Sequence, residues 1–326
     1  MEGEKYISGL MNRLLSVSAS AYPAVLLVLV CASAAQGALI TVNSTETWTG
    51  GSMHGISPSG SGSNADPYVY QIPDGMSLTA SGELYFGNVS VELDFSNGTA
   101  GLTMASGGYF DMASTTRRQS DREDLTLTMG RFPISNAEFD TDDDRKDSHN
   151  LIITGENDVD ISQIDLHGYD VKGAYVNITL TEMAELTIGN GTHAINVMEQ
   201  SSSGDLTGDV TLTAYSIAID GYVYTYTRTS GSDSGNFTAT CTYSRDTDNI
   251  GNHFWLDGKI DTNHNGNDGD IQVSAIRATF QGDAEYDDGD GTKDTTLGGA
   301  QCGWSEGELF DNSTGEEFDD NYNNTW

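Results

Sequence analysis

The feature that most constrains this chain is a short stranded pattern that returns at nearly fixed spacing. Leu78-Thr-Ala-Ser-Gly-Glu-Leu-Tyr-Phe86 is echoed by Leu102-Thr-Met-Ala-Ser-Gly-Gly-Tyr-Phe110, and another Leu-Thr pair starts at Leu125. The offsets are 24 and 23 residues. Within each copy apolar and polar residues alternate, as they do in a strand with one buried face. A repeat of this length built on such strands fits one coil of a β-solenoid, where each turn hides its apolar face only by stacking on its neighbours.

The pattern runs on along the chain. Tyr68-Val-Tyr-Gln-Ile72, Val89-Ser-Val-Glu-Leu-Asp-Phe95, Ala174-Tyr-Val-Asn-Ile-Thr-Leu180 and Asp209-Val-Thr-Leu-Thr213 alternate in the same way. Asn97-Gly98, Gly107-Gly108 and Asn190-Gly191 supply turn chemistry between strands. No segment holds helical periodicity beyond a couple of turns, which excludes helix-rich folds and a doubly wound sheet. The expected architecture is all-β: a right-handed parallel β-solenoid of about eight to eleven coils. It is expected to span residues 38–282, with loops inserted near 111–150 and 228–270. A β-sandwich in the C-terminal half, from about Gly204, is the alternative, because strands there are longer and the repeat is weaker. Residues 283–326 hold thirteen acids against one base, Lys293, and few apolar residues. They are expected to form an acidic, partly disordered tail.

Residues 1–37 read as an export signal. Arg13 supplies the positive segment, Ala24-Val-Leu-Leu-Val-Leu-Val30 the apolar core, and Ala35 and Gly37 the small residues before a cut. That apolar run falls short of the roughly 20 residues a membrane span needs. The expected location is therefore secreted or at the cell surface, with no membrane span. The chain carries 49 acids against 14 bases, a net charge of −35, which disfavours nucleic acid and anionic membranes as partners. Of three cysteines, Cys31 falls in the signal. Cys241 and Cys302 then form a candidate disulfide in an oxidising compartment. Closing a loop of about 60 residues, it would contribute about 4 kcal/mol.

Two resemblances follow from these residues. The export signal ending Ala34-Ala-Gln-Gly37, followed by Ala-Leu-Ile-Thr-Val42, resembles secreted bacterial proteins of the PEP-CTERM type. Glu185-Leu-Thr-Ile-Gly-Asn-Gly-Thr192 and Leu102-Thr-Met-Ala-Ser-Gly-Gly108 resemble the repeats of autotransporter-like β-helix passengers. The likeness covers residues 38 to about 220, and the Pro-Glu-Pro signature of the first family is not present in the sequence. It implies a surface or exopolymer-associated protein and carries no site residue across.

The motif closest to a ligand site is Asp261-Thr-Asn-His-Asn-Gly-Asn-Asp-Gly-Asp270. It sets Asp261, Asn263 and Asn265 at alternate positions with Gly266 next, the first half of a Ca²⁺ loop. Gln272 stands where an EF-hand would place its bidentate Glu. Asp268 or Asp270 would have to complete the shell. Asp283, Glu285 and Asp287 form a second oxygen-rich stretch. A polar turn and a solvated acidic loop are the competing readings of the two. The six His are scattered without zinc-ligand spacing. No nucleophile elbow or phosphate-binding loop occurs. Arg145 or Lys146 beside Asp142 to Asp144 is the one crude candidate for a lyase. Tyr222, Tyr224 and Tyr226 share a strand face; an inward or cross-strand ladder is expected, with sugar stacking as the alternative. Trp255 and Trp304 are single candidates for the same stacking. The expected function is an exported structural or adhesive protein of the cell surface or extracellular matrix, possessing a rigid acidic exterior, Ca²⁺-stiffened loops, and glycans or matrix proteins as partners. A polysaccharide-active lyase or hydrolase on the same scaffold, and a glycan-binding module, are the alternatives.

Overall fold

Alternation at period two puts every second residue on one side of a strand, so a chain of short alternating strands must bring those sides together. The computed structural model describes residues 39–98, 100–113, 123–130, 133–141, 148–166, 174–197, 208–225, 234–242, 253–261 and 271–275, with the strands beyond as backbone. All of them belong to the compact unit that runs from Leu39 to Trp326.

Three short strands come first: β1 (Leu39–Val42), β2 (Glu46–Thr47) and β3 (Tyr68–Gln71). The triplet recurs as β4 (Ser77–Ala80), β5 (Glu83–Tyr85) and β6 (Val91–Phe95). It recurs again as β7 (Gly101–Met104), β8 (Tyr109–Asp111) and β9 (Asp124–Met129). The first two members then fuse into one longer strand. The pairs are β10 (Ile134–Asp140) with β11 (Asn150–Gly155), and β12 (Val159–Asp165) with β13 (Val176–Leu180). They continue as β14 (Glu185–Asn196) with β15 (Val210–Ala214), and β16 (Ser216–Tyr224) with β17 (Phe237–Cys241). The triplet returns as β18 (His253–Asp257), β19 (Ile260–Asp261) and β20 (Ile271–Ser274). A last triplet is β21 (Arg277–Gln281), β22 (Tyr286–Asp287) and β23 (Gln301–Cys302). β24 (Glu308–Asp311) and β25 (Glu316–Phe318) pair antiparallel.

These strands form two sheets, one of 16 strands and one of 9, and no helix occurs among the described residues. The third strand of each triplet, and the second of each pair, belongs to the smaller sheet. Within both sheets neighbours follow sequence order and, β24 with β25 apart, pair in parallel. This strand order is consistent with a parallel β-solenoid. The fusion is visible in the register: β10 pairs with β7 through Ile134 and Ser135 and with β8 through Phe139 and Asp140. Parallel pairing continues past Gly204, where β15, β17 and β20 stay in the smaller sheet. The intervals expected as loops also contain ladder strands: β9 and β10 lie inside 111–150, and β17, β18 and β19 inside 228–270.

The core is a set of stacked columns. Leu93, Leu127, Ile153, Ile178, Leu212, Ala239 and Val273 stand in register, one per strand, and each is fully buried. Ile40, Leu78, Leu102 and Ile134 begin the matching column of the larger sheet. Phe110 and Phe139 stack inside with ring centroids 4.8 Å apart and planes 11° from parallel. Each such column removes apolar surface from water at about 25 cal/mol per Å².

One line of positions across the larger sheet depends on glycine. Gly189, Gly221 and Gly258 lie in successive strands or just after them, at φ of +117°, +126° and +149°. A Cβ on Gly258 would sit 2.2 Å from the Gly221 carbonyl oxygen, and one on Gly189 would sit 1.9 Å from that of Asp220. Backbone packs on backbone there, and no side chain fits. Gly258→Ala is expected to cost about 1–3 kcal/mol in urea unfolding. Gly51→Ala, which points into open space, should stay within about 0.5 kcal/mol. Equal effects would contradict the close approach.

Candidate functional site

Ile217, Ile219 and Val223 of β16 point inward and are buried, so period two turns Tyr222 and Tyr224 outward. The sequence favoured an inward or cross-strand ladder for these tyrosines; the structure turns Tyr222 and Tyr224 outward, where a ring of the neighbouring strand joins them, and Tyr226 lies outside the described residues. Tyr222 is 40 % exposed, one of three large hydrophobic residues so exposed among those described, with Leu39 and Met183. The Tyr222 and Tyr224 rings stack with centroids 5.9 Å apart and planes 25° from parallel. His193 of β14 stands opposite Tyr222 in the register and joins them, 6.2 Å from Tyr222 and 5.8 Å from Tyr224. The three rings make an exposed aromatic platform.

Polar groups flank it in a column formed by strand ends. Asp111, Asp140, Asp165, Asn196, Tyr224, Asp261 and Asp287 follow one another in register. Asn196 donates from Nδ2 to Asp165 Oδ1 at 3.0 Å on one side of Tyr224. Lys259 Nζ meets Asp261 Oδ2 at 3.1 Å on the other. The rings can stack on the C–H faces of a sugar, while the amide, ammonium and carboxylates are suited to its hydroxyls. Asp165 and Asp261 are three register steps apart, about 14 Å at the usual strand spacing.

On the first half of the same strands lies a shallow depression of about 190 Å³. Two register columns line it: Glu185, Ser216 and His253, and Thr187, Ala218 and Trp255. Small Ala218 and Thr187 leave room beside the Trp255 indole, which sits partly exposed.

A second polar column marks where small-sheet strands begin. Asn150 Nδ2 donates to Asp124 Oδ1 at 2.8 Å, the Tyr175 hydroxyl to the same oxygen at 3.3 Å, and the Tyr175 amide to Asn150 Oδ1 at 3.2 Å. Asp209 Oδ1 accepts from the Asn236 amide at 2.8 Å further along. Burial, then the Asp124 charge and its hydrogen bond, push the Tyr175 hydroxyl up to about 12. Because the folded chain holds that proton more tightly, the linked stability is intact below about pH 10 and lost as pH climbs toward about 12. Urea melts on either side of that window should show a steeper alkaline loss for the native chain than for Tyr175→Phe; parallel curves would contradict the assignment.

The motif residues read from sequence are placed as follows. Asp261 ends β19 with its carboxylate against Lys259. Asn263, Asn265, Asp268, Asp270, Asp283 and Glu285 lie outside the described residues, as do Asp142 to Lys146 and Trp304. Asp287 stands opposite Asp261 in the register. Among the described residues no group of three or more His, Cys, Asp or Glu is arranged to hold a metal ion. Cys241 is a free, buried thiol. Cys302 belongs to β23, two strands from Cys241. Two strand spacings make about 10 Å, more than the roughly 7 Å a disulfide bridges, so the register does not bring the expected pair together. Burial pushes the Cys241 thiol up to about 12, which keeps it unreactive at neutral pH. Thiol labelling of the native protein with peptide mapping should leave Cys241 unmodified until the chain is unfolded. A mapped Cys241–Cys302 peptide would overturn the register.

Compared with protein-family models, curated proteins and solved structures, the chain matches none.

Proposed function

We propose that the chain is an exported adhesive protein, a right-handed parallel β-solenoid that presents a glycan-binding face outside the cell. The observation that carries this reading is the exposed His193–Tyr222–Tyr224 platform on β14 and β16. Exposed stacked rings lose apolar hydration only when something planar and apolar covers them, and sugar C–H faces do so while their hydroxyls stay bonded at the rim. The right hand follows from the strong preference of parallel crossover connections for that sense. Successive strands in both sheets pair in sequence order, as winding of this kind requires. Export rests on the signal-like segment at residues 1–37. The net charge of −35 favours neutral or cationic glycans and matrix proteins over polyanions.

The test is affinity electrophoresis of the full chain against a panel of neutral and amino-sugar polysaccharides. Retardation by at least one polysaccharide is expected, weakened roughly tenfold by Tyr222→Ala for a stacking contact of about 1.5 kcal/mol. Met183→Ala, at another exposed apolar residue, should leave it unchanged. Retardation that survives Tyr222→Ala together with Tyr224→Ala would remove the platform from the reading. Release of reducing ends would favour the enzyme alternative.

A further inference from the structure

The outer face of the smaller sheet is a second surface, built on different residues from the ring platform. From β9 through β11, β13, β15, β17 and β20 the ladder runs without a register shift, so no bulge bends it. The larger sheet, by contrast, shifts register in β10, β12 and β14. From β9 onward the middle outward positions of the smaller sheet fall into two columns, headed in β6 by Glu92 and Asp94 and flanked at the strand starts by Asp124 and Asp209. Thr128, Thr154, Thr179, Thr213 and Thr240 form one, closed by Ser274. Thr126, Thr211 and Thr238 share the other with Ile152, Asn177 and Gln272. In a chain of net charge −35, none of these places from β9 onward holds a charge.

The threonines are set on a grid. Neighbouring strands repeat at about 4.8 Å and alternate residues along a strand at about 6.6 Å. Branching at Cβ restricts each side chain, so hydroxyl and methyl positions recur with the backbone. The hydroxyls of Thr126, Thr154, Thr211, Thr213, Thr238 and Thr240 make no hydrogen bond to other described residues. They are left to bond outward, with a methyl beside each.

A partner for this strip must itself repeat in two dimensions, be uncharged, and accept both hydroxyls and methyls. A single polysaccharide chain repeats in one direction and is gripped by rings, which the strip lacks. An ionic mineral face needs rows of charge. The surface lattice of ice repeats on the same scale in two directions and offers both hydrogen bonds and recesses between water molecules. We propose that the threonine columns of β9 to β20 bind ice.

The test uses the purified full chain. It is frozen slowly into a growing ice hemisphere, and annealed ice films are imaged in its presence. Incorporation into ice and suppressed grain coarsening are expected. Thr211→Lys with Thr238→Lys, or the milder single Thr213→Lys, should lose both effects while melting as the native chain does. Thr187→Lys on the larger sheet should retain them. Exclusion of the folded native chain from ice overturns the proposal, as does full activity in the folded double variant. A dimer in sedimentation that dissociates on Thr211→Lys also overturns it, since a second copy would then cover the strip. The ring platform is untouched by these variants, so failure here and failure of the glycan reading are separate outcomes.

Discussion

Register between successive strands is the constraint on which everything else rests. The column from Leu93 through Ile153 and Ile178 to Val273 is buried at every step. A slip of one residue anywhere would carry polar side chains into it. Inward positions thereby dictate outward ones. Tyr222 and the half-buried Tyr224 face outward because Ile219 and Val223 face inward, and Thr211 and Thr213 face solvent because Val210 and Leu212 line the core. The surfaces that can recognise a partner are the reverse side of packing, requiring no structure of their own.

Charge is distributed by the same rule. Acids gather at strand ends, where Asp111, Asp140 and Asp165 stack in adjacent strands. Like charges about 5 Å apart repel unless something intervenes. Asn196 donates to Asp165, Lys259 meets Asp261, and the Ala113 amide donates to Asp111 at 2.9 Å. The middle of the smaller sheet is free of such acids from β9 onward, so one face stays neutral on a strongly anionic molecule.

Much of the fold was legible in the sequence, because a buried stripe at period two leaves a strong trace. Leu78 and Leu102 are true register partners. The next echo was misleading: Leu125 belongs to the smaller sheet opposite Val91, and the larger sheet continues through Ile134. Phe110 likewise pairs in the backbone register with Leu84, because the turn at Gly107 is longer than its counterpart, while its ring still stacks on that of Phe86 at 6.1 Å. The outward aspect of Tyr222 was missed because tyrosine fits both sides of a strand and only the neighbouring Ile and Val decide. The strand-end column had a signal that went unused: an apolar residue followed by Asp in Phe110-Asp111, Phe139-Asp140, Ile164-Asp165 and Ile260-Asp261. Its meaning lies in pairing across 25 or more residues, which local patterns do not display.

The two polar columns also bound a seam. Strand ends at Asp140, Asp165, Asn196 and Tyr224 lie on one side, and strand starts at Asn150, Val176, Val210 and Phe237 on the other. Nearly all the longer connections in the sequence join the first set to the second, whereas β15 reaches β16 through Tyr215 alone. Extra chain inserted at the seam costs entropy that grows only logarithmically with length. At the tight corners one added residue would invert the strand that follows. The molecule can therefore be enlarged and regrafted along a single edge, generation after generation, while the strand register beneath it stays the same.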